Sequence, residues 1–114
     1  MSDERPVFTL EEARAILPRV KLVTADAVQQ AESLSARLQT VAEDDPEHEA
    51  LSAALRDVVD GWAQELQTLG AEPKGLWLVD FDNGVGYYCW RYPETGTKHY
   101  HGYSDGFAGR MTIQ

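Results

Sequence analysis

Residues 75–110 read GLWLVDFDNGVGYYCWRYPETGTKHYHGYSDGFAGR, and how this stretch pairs with itself decides the fold. It holds nine of the eleven aromatic residues, the only cysteine and two of the three histidines, so both a sheet core and side-chain chemistry must be sought here. Side chains alternate: Trp77, Val79 and Phe81 share one face of a strand, with Leu76, Leu78 and Asp80 on the other. Asn83-Gly84 is a strong hairpin signal, because a type I′ turn needs positive φ at both central residues. A two-residue turn there pairs Val79 with Tyr88 and Trp77 with Trp90. Trp77, Val79, Phe81, Tyr88 and Trp90 then form one aromatic face, expected to lie on helices. The reverse face holds Leu78, Asp80, Tyr87, Cys89 and Arg91. Residues 93–97 make a second turn and residues 99–103 a third strand. With Thr95-Gly96 as the turn core, Tyr92 opposes His99 and Trp90 opposes His101; a one-residue bulge inverts that assignment. Residues 76–103 are thus a three-stranded antiparallel meander, and the glycine-rich segment 104–114 carries no clear element signal.

Upstream the period is helical. Thr9 with Glu12 three residues on is a capping box, and Phe8 can staple onto Ala13, so a helix starts at Leu10 after a polar tail over residues 1–8. Pro18 removes a backbone donor and crowds the preceding turn, which predicts a kink or restart there. From that point Leu17, Val20, Thr24, Ala27, Ala31, Leu34, Leu38 and Val41 alternate spacings of three and four, a narrow amphipathic seam. Asp45, Pro46 and Glu47 are cap, first-turn proline and dipole-matched acid of a second helix. Its seam is Leu51, Leu55, Val58, Trp62, Leu66 and Leu69, and Gly70 is the left-handed stop. Helices over 18–43 and 46–69 are each roughly 36 to 39 Å long and match as an antiparallel hairpin. Residues 9–70 are this hairpin, 71–75 a linker, and the whole chain one α+β domain.

Charge and composition narrow the function classes. The net charge is −9; residues 1–70 carry 6 basic and 14 acidic side chains and residues 71–114 carry 4 and 5. A surface so acidic on its helices disfavours nucleic acid, whose phosphates it repels. No apolar run reaches the roughly 18 residues of a membrane span, and MSDERPVF lacks the layout of a secretion signal, so a cytoplasmic location is expected. One cysteine excludes an intrachain disulfide and, without a second thiol, also rules out a cysteine-based zinc site within one chain. At 114 residues a chain buries only about two-thirds of its unfolded surface. Apolar Leu22, Val23, Val28 and Val59 lie outside the seams. A homodimer that joins two hairpins into a four-helix bundle would cover them.

Cys89-Trp90, Glu94, His101 and the run Gly106-Phe107-Ala108-Gly109-Arg110 resemble the bacterial family called domain of unknown function 2203. FTLEEARAILP at residues 8–18, Lys74 and Leu78-Val79-Asp80-Phe81 extend the resemblance over nearly the whole chain. Pro93 stands where that family usually has glycine, and Tyr100 where it has tryptophan. The resemblance implies a helical hairpin with a small sheet, sometimes described as ferritin-like, and it implies no reaction.

Candidate chemistry converges on few residues. His99 and His101 share a strand face and, with a carboxylate such as Glu94 or Asp105, would suit one divalent metal such as zinc or iron; His101 alone of the pair matches the family pattern. Two hydrogen-bonded strand histidines are the plainer reading. No Glu-x-x-His occurs in either helix, so the di-iron signature is absent. Cys89 could act as a nucleophile with His101 as base, although the expected register turns it away from His101. Asp80 beside Arg91 and Lys98 could be catalytic, but it reads first as their partner in a surface cross-strand ion pair. Arg110 after two glycines is a planar clamp for Glu94 or for an anionic ligand. The expectation is a dimeric interaction or structural module; the competing class is a ligand-binding protein or enzyme that uses Glu94, His101 and Arg110.

Overall fold

The computed structural model describes residues 6–114; the expected tail over residues 1–5 lies outside the described residues. Two helices, α1 (Leu10–Leu38) and α2 (Pro46–Thr68), precede five strands: β1 (Glu72–Gly75), β2 (Leu78–Asp82), β3 (Tyr87–Arg91), β4 (His99–His101) and β5 (Met111–Thr112). The strands form one antiparallel sheet in chain order.

Both helix starts follow their local chemistry. The Thr9–Glu12 capping box is present, and Asp45 accepts the Glu47 backbone N–H at 2.8 Å with Pro46 in the first turn. Gly70, at φ +86°, ends the hairpin. Phe8, at the end of the expected tail, is tied down: its N–H donates to Asp82 O at 2.7 Å and its ring packs edge-on against Phe81. The first helix starts at Leu10 as expected but departs from expectation at Pro18 and at its C-terminal end. It runs unbroken through Pro18 instead of restarting there, and it stops at Leu38 instead of continuing to Glu43.

The seams meet as expected. Leu17, Val20, Thr24, Ala27 and Ala31 are buried against Leu51, Trp62 and Leu66. Thr24, the one polar entry in its seam, accepts the Trp62 Nε1–H at 2.8 Å, so the indole nitrogen is satisfied inside the core. Val28 is buried, Val23 and Val59 are half-buried, and of the four apolar residues expected outside the seams Leu22 alone is exposed.

The sheet has five strands rather than three. Residues 72–75, expected as linker, form an edge strand, a place where proline is tolerated; residues 111–112 form the opposite edge. In the first hairpin Asp82 pairs with Tyr87 and Val79 with Trp90. Four residues therefore connect β2 to β3 instead of two, and Asn83 closes the turn by accepting from Val85 N and Gly86 N. This shifts every partner by two positions, which leaves the faces unchanged. Val79, Phe81 and Trp90 are fully buried beneath the helices. Trp77 is not in the strand: it sits in the β1–β2 turn at φ +65°, with its ring 4.9 Å from that of Trp62. The second hairpin overturns its expected register. Tyr87 pairs with His101 and Cys89 with His99, an odd displacement that moves both histidines to the face away from the helices. Among the described residues no helix is long and apolar enough to cross a membrane.

Candidate functional site

The inverted register brings three potential ligands together on the reverse face of the sheet. Asp80 in β2 lies opposite Cys89 in β3, and His101 in β4 lies opposite Tyr87, one pair along. The imidazole reaches diagonally across β3, so that His101 Nε2 is 3.0 Å from Asp80 Oδ2. Ligand atoms of Asp80, Cys89 and His101 all lie within 4.8 Å of one another. None of the three residues is more than 3% exposed.

Each group's electrostatics follows from that burial. Desolvation raises the Asp80 carboxyl above its ordinary value; the His101 hydrogen bond and charge, the Cys89 thiol and Lys74 oppose the rise without cancelling it. The Cys89 thiol is pushed up to about 12, first by burial and then by the Asp80 charge and hydrogen bond, with Arg110 offsetting part. Asp80 Oδ1 is buried without a hydrogen-bond partner, an arrangement that ordinarily costs about 1–3 kcal/mol. His101 Nδ1 is 2.8 Å from the Gly102 carbonyl oxygen. A carbonyl only accepts, so Nδ1 carries a proton there, and Nε2 is the nitrogen turned to Asp80 and Cys89.

Aromatic and charged side chains surround the group. The Tyr87 ring lies 5.4 Å from the His101 ring and 5.1 Å, edge-on, from Tyr103. Tyr103 OH donates to Asp82 Oδ1 at 2.7 Å, and Lys74 Nζ stands 4.8 Å over Tyr87. The β2–β3 turn is fitted closely against this region. A Cβ on Gly86 would meet the His101 carbonyl oxygen at 2.6 Å.

The residues expected as a metal set are divided between two clusters. His101 belongs to the buried group, whereas Glu94 and His99 lie with Arg110. Arg110 Nη1 and Nη2 donate to the two Glu94 carboxylate oxygens at 3.1 and 2.9 Å, the planar clamp anticipated from the sequence. Glu94 Oε1 also accepts the Arg91 N–H at 2.8 Å, and the guanidinium stacks 4.1 Å over Phe107. His99 Nδ1 is 3.9 Å from Glu94 Oε2, beyond hydrogen-bond distance. Arg110 Nη1 touches Cys89 Sγ at 4.0 Å, which joins the two clusters edge to edge. Two expectations are corrected here. Asp80 is no surface partner of Arg91 and Lys98 but a buried neighbour of His101, and Cys89 faces the same side as His101. The signal that could have found them is Asp80 itself, a carboxylate between the apolar Val79 and Phe81 in the middle of a strand.

The arrangement is not that of a thiol nucleophile and its base. Both His101 nitrogens are engaged, one by the Gly102 carbonyl and one by Asp80, and a thiol held near 12 is not ionised at neutral pH. The chain belongs to the uncharacterized conserved protein family DUF2203, whose model matches residues 6–113. No curated protein and no solved structure matches it.

Proposed function

We propose that this member of the family is a metal-binding module whose site is Asp80, Cys89 and His101. The carrying observation is one buried thiol, one imidazole and one carboxylate from three adjacent strands, with ligand atoms within 4.8 Å. A thiolate, an imidazole and a carboxylate are the donors of borderline divalent ions such as zinc or iron(II). Bonds of about 2.0–2.3 Å in a tetrahedral site separate neighbouring donors by roughly 3.3–3.6 Å, close to the 3.0 Å between His101 Nε2 and Asp80 Oδ2. The Nδ1 bond to a backbone carbonyl is the outer partner that metal-binding histidines ordinarily have, because it fixes the tautomer. Charge favours the same reading. A divalent ion with one thiolate and one carboxylate is neutral overall, and it would satisfy the orphaned Asp80 Oδ1 region that burial otherwise penalises. With no ligand residue open to solvent, the role that fits is cross-linking β2, β3 and β4 rather than turnover of a substrate.

The test is elemental analysis of protein purified without chelator and without a histidine tag, followed by cobalt(II) substitution. One equivalent of metal is expected, with a sulfur-to-cobalt charge-transfer band that Cys89→Ser removes. Absence of metal, together with no cobalt band on reconstitution, would sink the reading.

A second reading, the homodimer, has one observation in its favour. Beyond the sheet a groove of about 650 Å³ runs over Ala31, Ala36, Leu55 and Val59, beside Leu76, which is 63% exposed. A second hairpin laid on it would complete a four-helix arrangement. Light scattering at micromolar concentration should then return twice the 12.7 kDa chain mass; a clean monomer would refute it.

A further inference from the structure

A second groove, on the helix side of the sheet and distinct from the metal site, carries its own ligand signature. It lies between α1 and the β3–β4 connection and measures about 650 Å³, within the range of roughly 300–1,000 Å³ typical of small-molecule sites. Its floor is Leu17 and Trp90, both buried, and its walls are Tyr92 and Leu22. The Trp90 indole N–H is already spent on the Glu94 carbonyl at 2.8 Å, so the ring offers the groove only apolar surface. Leu22, 67% exposed, is a large aliphatic side chain standing in water at the rim.

Two cations complete the lining. Arg14 and Lys21 are seven residues apart on α1 and therefore share a face. Arg14 Nη2 donates to Thr97 O at 3.0 Å and Lys21 Nζ to Thr95 O at 2.9 Å. These neutral carbonyls hold the side chains over the groove without cancelling their charge. Elsewhere among the described residues Arg19, Arg37, Arg56, Lys74 and Arg110 each have a carboxylate within 4.0 Å. Among the described residues Arg14 and Lys21 have none, and neither do Arg91 and Lys98, but of these four only Arg14 and Lys21 line the groove, in a chain whose net charge is −9. Glu94 also lines this groove, but its carboxylate is taken by Arg110. An apolar trough bordered by two anchored, uncompensated cations is complementary to an apolar body that carries one carboxylate. The other large groove differs on this point, since Glu32 and Asp60 line it beside Arg56. We infer that the α1/β3–β4 groove binds a small amphipathic monocarboxylate, its hydrocarbon part against Leu17, Leu22, Trp90 and Tyr92 and its carboxylate between Arg14 and Lys21.

The test is a titration of the full-length, ¹⁵N-labelled protein with 3-phenylpropionate and, separately, with its uncharged amide, followed by amide and indole shifts. Saturable shifts at Leu17, Lys21, Leu22, Tyr92 and the Trp90 indole are expected with the acid. The amide should bind more weakly by about tenfold, the worth of one hydrogen bond to a charged group. Lys21→Gln should weaken the acid by a similar factor without moving the amide, and Arg14→Gln should do the same. Lys21 is partly exposed on the helix, so its variant is the one to rely on should loss of the Arg14 contact disturb the sheet. Equal binding of acid and amide would overturn the charge assignment. No saturable shift, or shifts mapping elsewhere, would overturn the site, as would binding of a peptide ending in phenylalanine when the free acid does not bind.

Discussion

His101 spends both ring nitrogens on the protein, one on a backbone carbonyl and one on a buried carboxylate, while His99, two residues away, has only an ion-pair contact of 3.9 Å and a side chain 29% exposed. Removing the first imidazole strands Asp80, whose Oδ1 already lacks a partner. His101→Ala should therefore cost on the order of 1 to 3 kcal/mol in a denaturant melt, and His99→Ala less. Equal, negligible losses would show that the Asp80–His101 contact does not hold the sheet together. Glu94 sets a pH dependence. Burial by itself would raise its carboxyl, but the Arg110 hydrogen bond, the Arg91 N–H, the Arg110 charge and His99 together outweigh it and hold the group below its ordinary 4.5. A depressed folded value means that the stability contributed is present above 4.5 and disappears as pH falls through the folded value. Glu94→Gln should thus be less stable than the parent at neutral pH, with the gap closing below about 4.5. A gap that stays constant from pH 7 to 3 would remove the linkage.

At the scale of elements, what could be read in the sequence depended on whether an error displaced a strand by an even or an odd number of residues. Capping signals and seam spacings are local, so Thr9, Asp45 and Gly70 marked helix ends correctly. In the first hairpin the turn was misjudged by two residues, and because side chains alternate with period two the aromatic face survived intact. In the second hairpin the displacement was three. His101 moved to the other face, and with it the candidate site moved from Glu94 and His99 to Asp80 and Cys89. Nothing within β4 opposes either register, since both of its faces carry a polar or aromatic side chain. Glu72-Pro73-Lys74-Gly75 has no β-forming composition and becomes a strand only by pairing with β2. Thr24 was legible as a polar residue in an apolar seam, but its partner was not, because Trp62 lies on the other helix. Their bond predicts that Thr24→Val, which keeps the volume and loses the acceptor, destabilises by about 1–3 kcal/mol through the unpaired indole N–H. Thr24→Ser should keep most of that stability. If Val and Ser variants unfold at the same urea concentration, the seam is held by volume alone.

For the molecule as a whole, the proposed metal site and the hydrophobic core are two faces of the same strands. Asp80 is flanked by Val79 and Phe81, and Cys89 by Trp90, all three of them fully buried beneath the helices. An ion held by β2, β3 and β4 would therefore fix the sheet surface on which α1 and α2 pack, and it could not be released without loosening that surface. Ligand that binds only the folded state stabilises by about 2.7 kcal/mol at a hundredfold excess over its Kd. For a domain of this size that corresponds to an increase of the thermal midpoint on the order of 10 °C. Calorimetry across a series of zinc concentrations should show the midpoint climbing with the logarithm of free metal in the parent protein. Cys89→Ser replaces the thiol with a hydroxyl of similar shape, so it should keep the metal-free midpoint close to that of the parent and lose most of the climb. An equal climb in both proteins would assign the zinc to surface carboxylates on the acidic helices. A flat response in the parent, when elemental analysis finds one bound equivalent, would mean that the site holds its ion without coupling to the packing of sheet on helices.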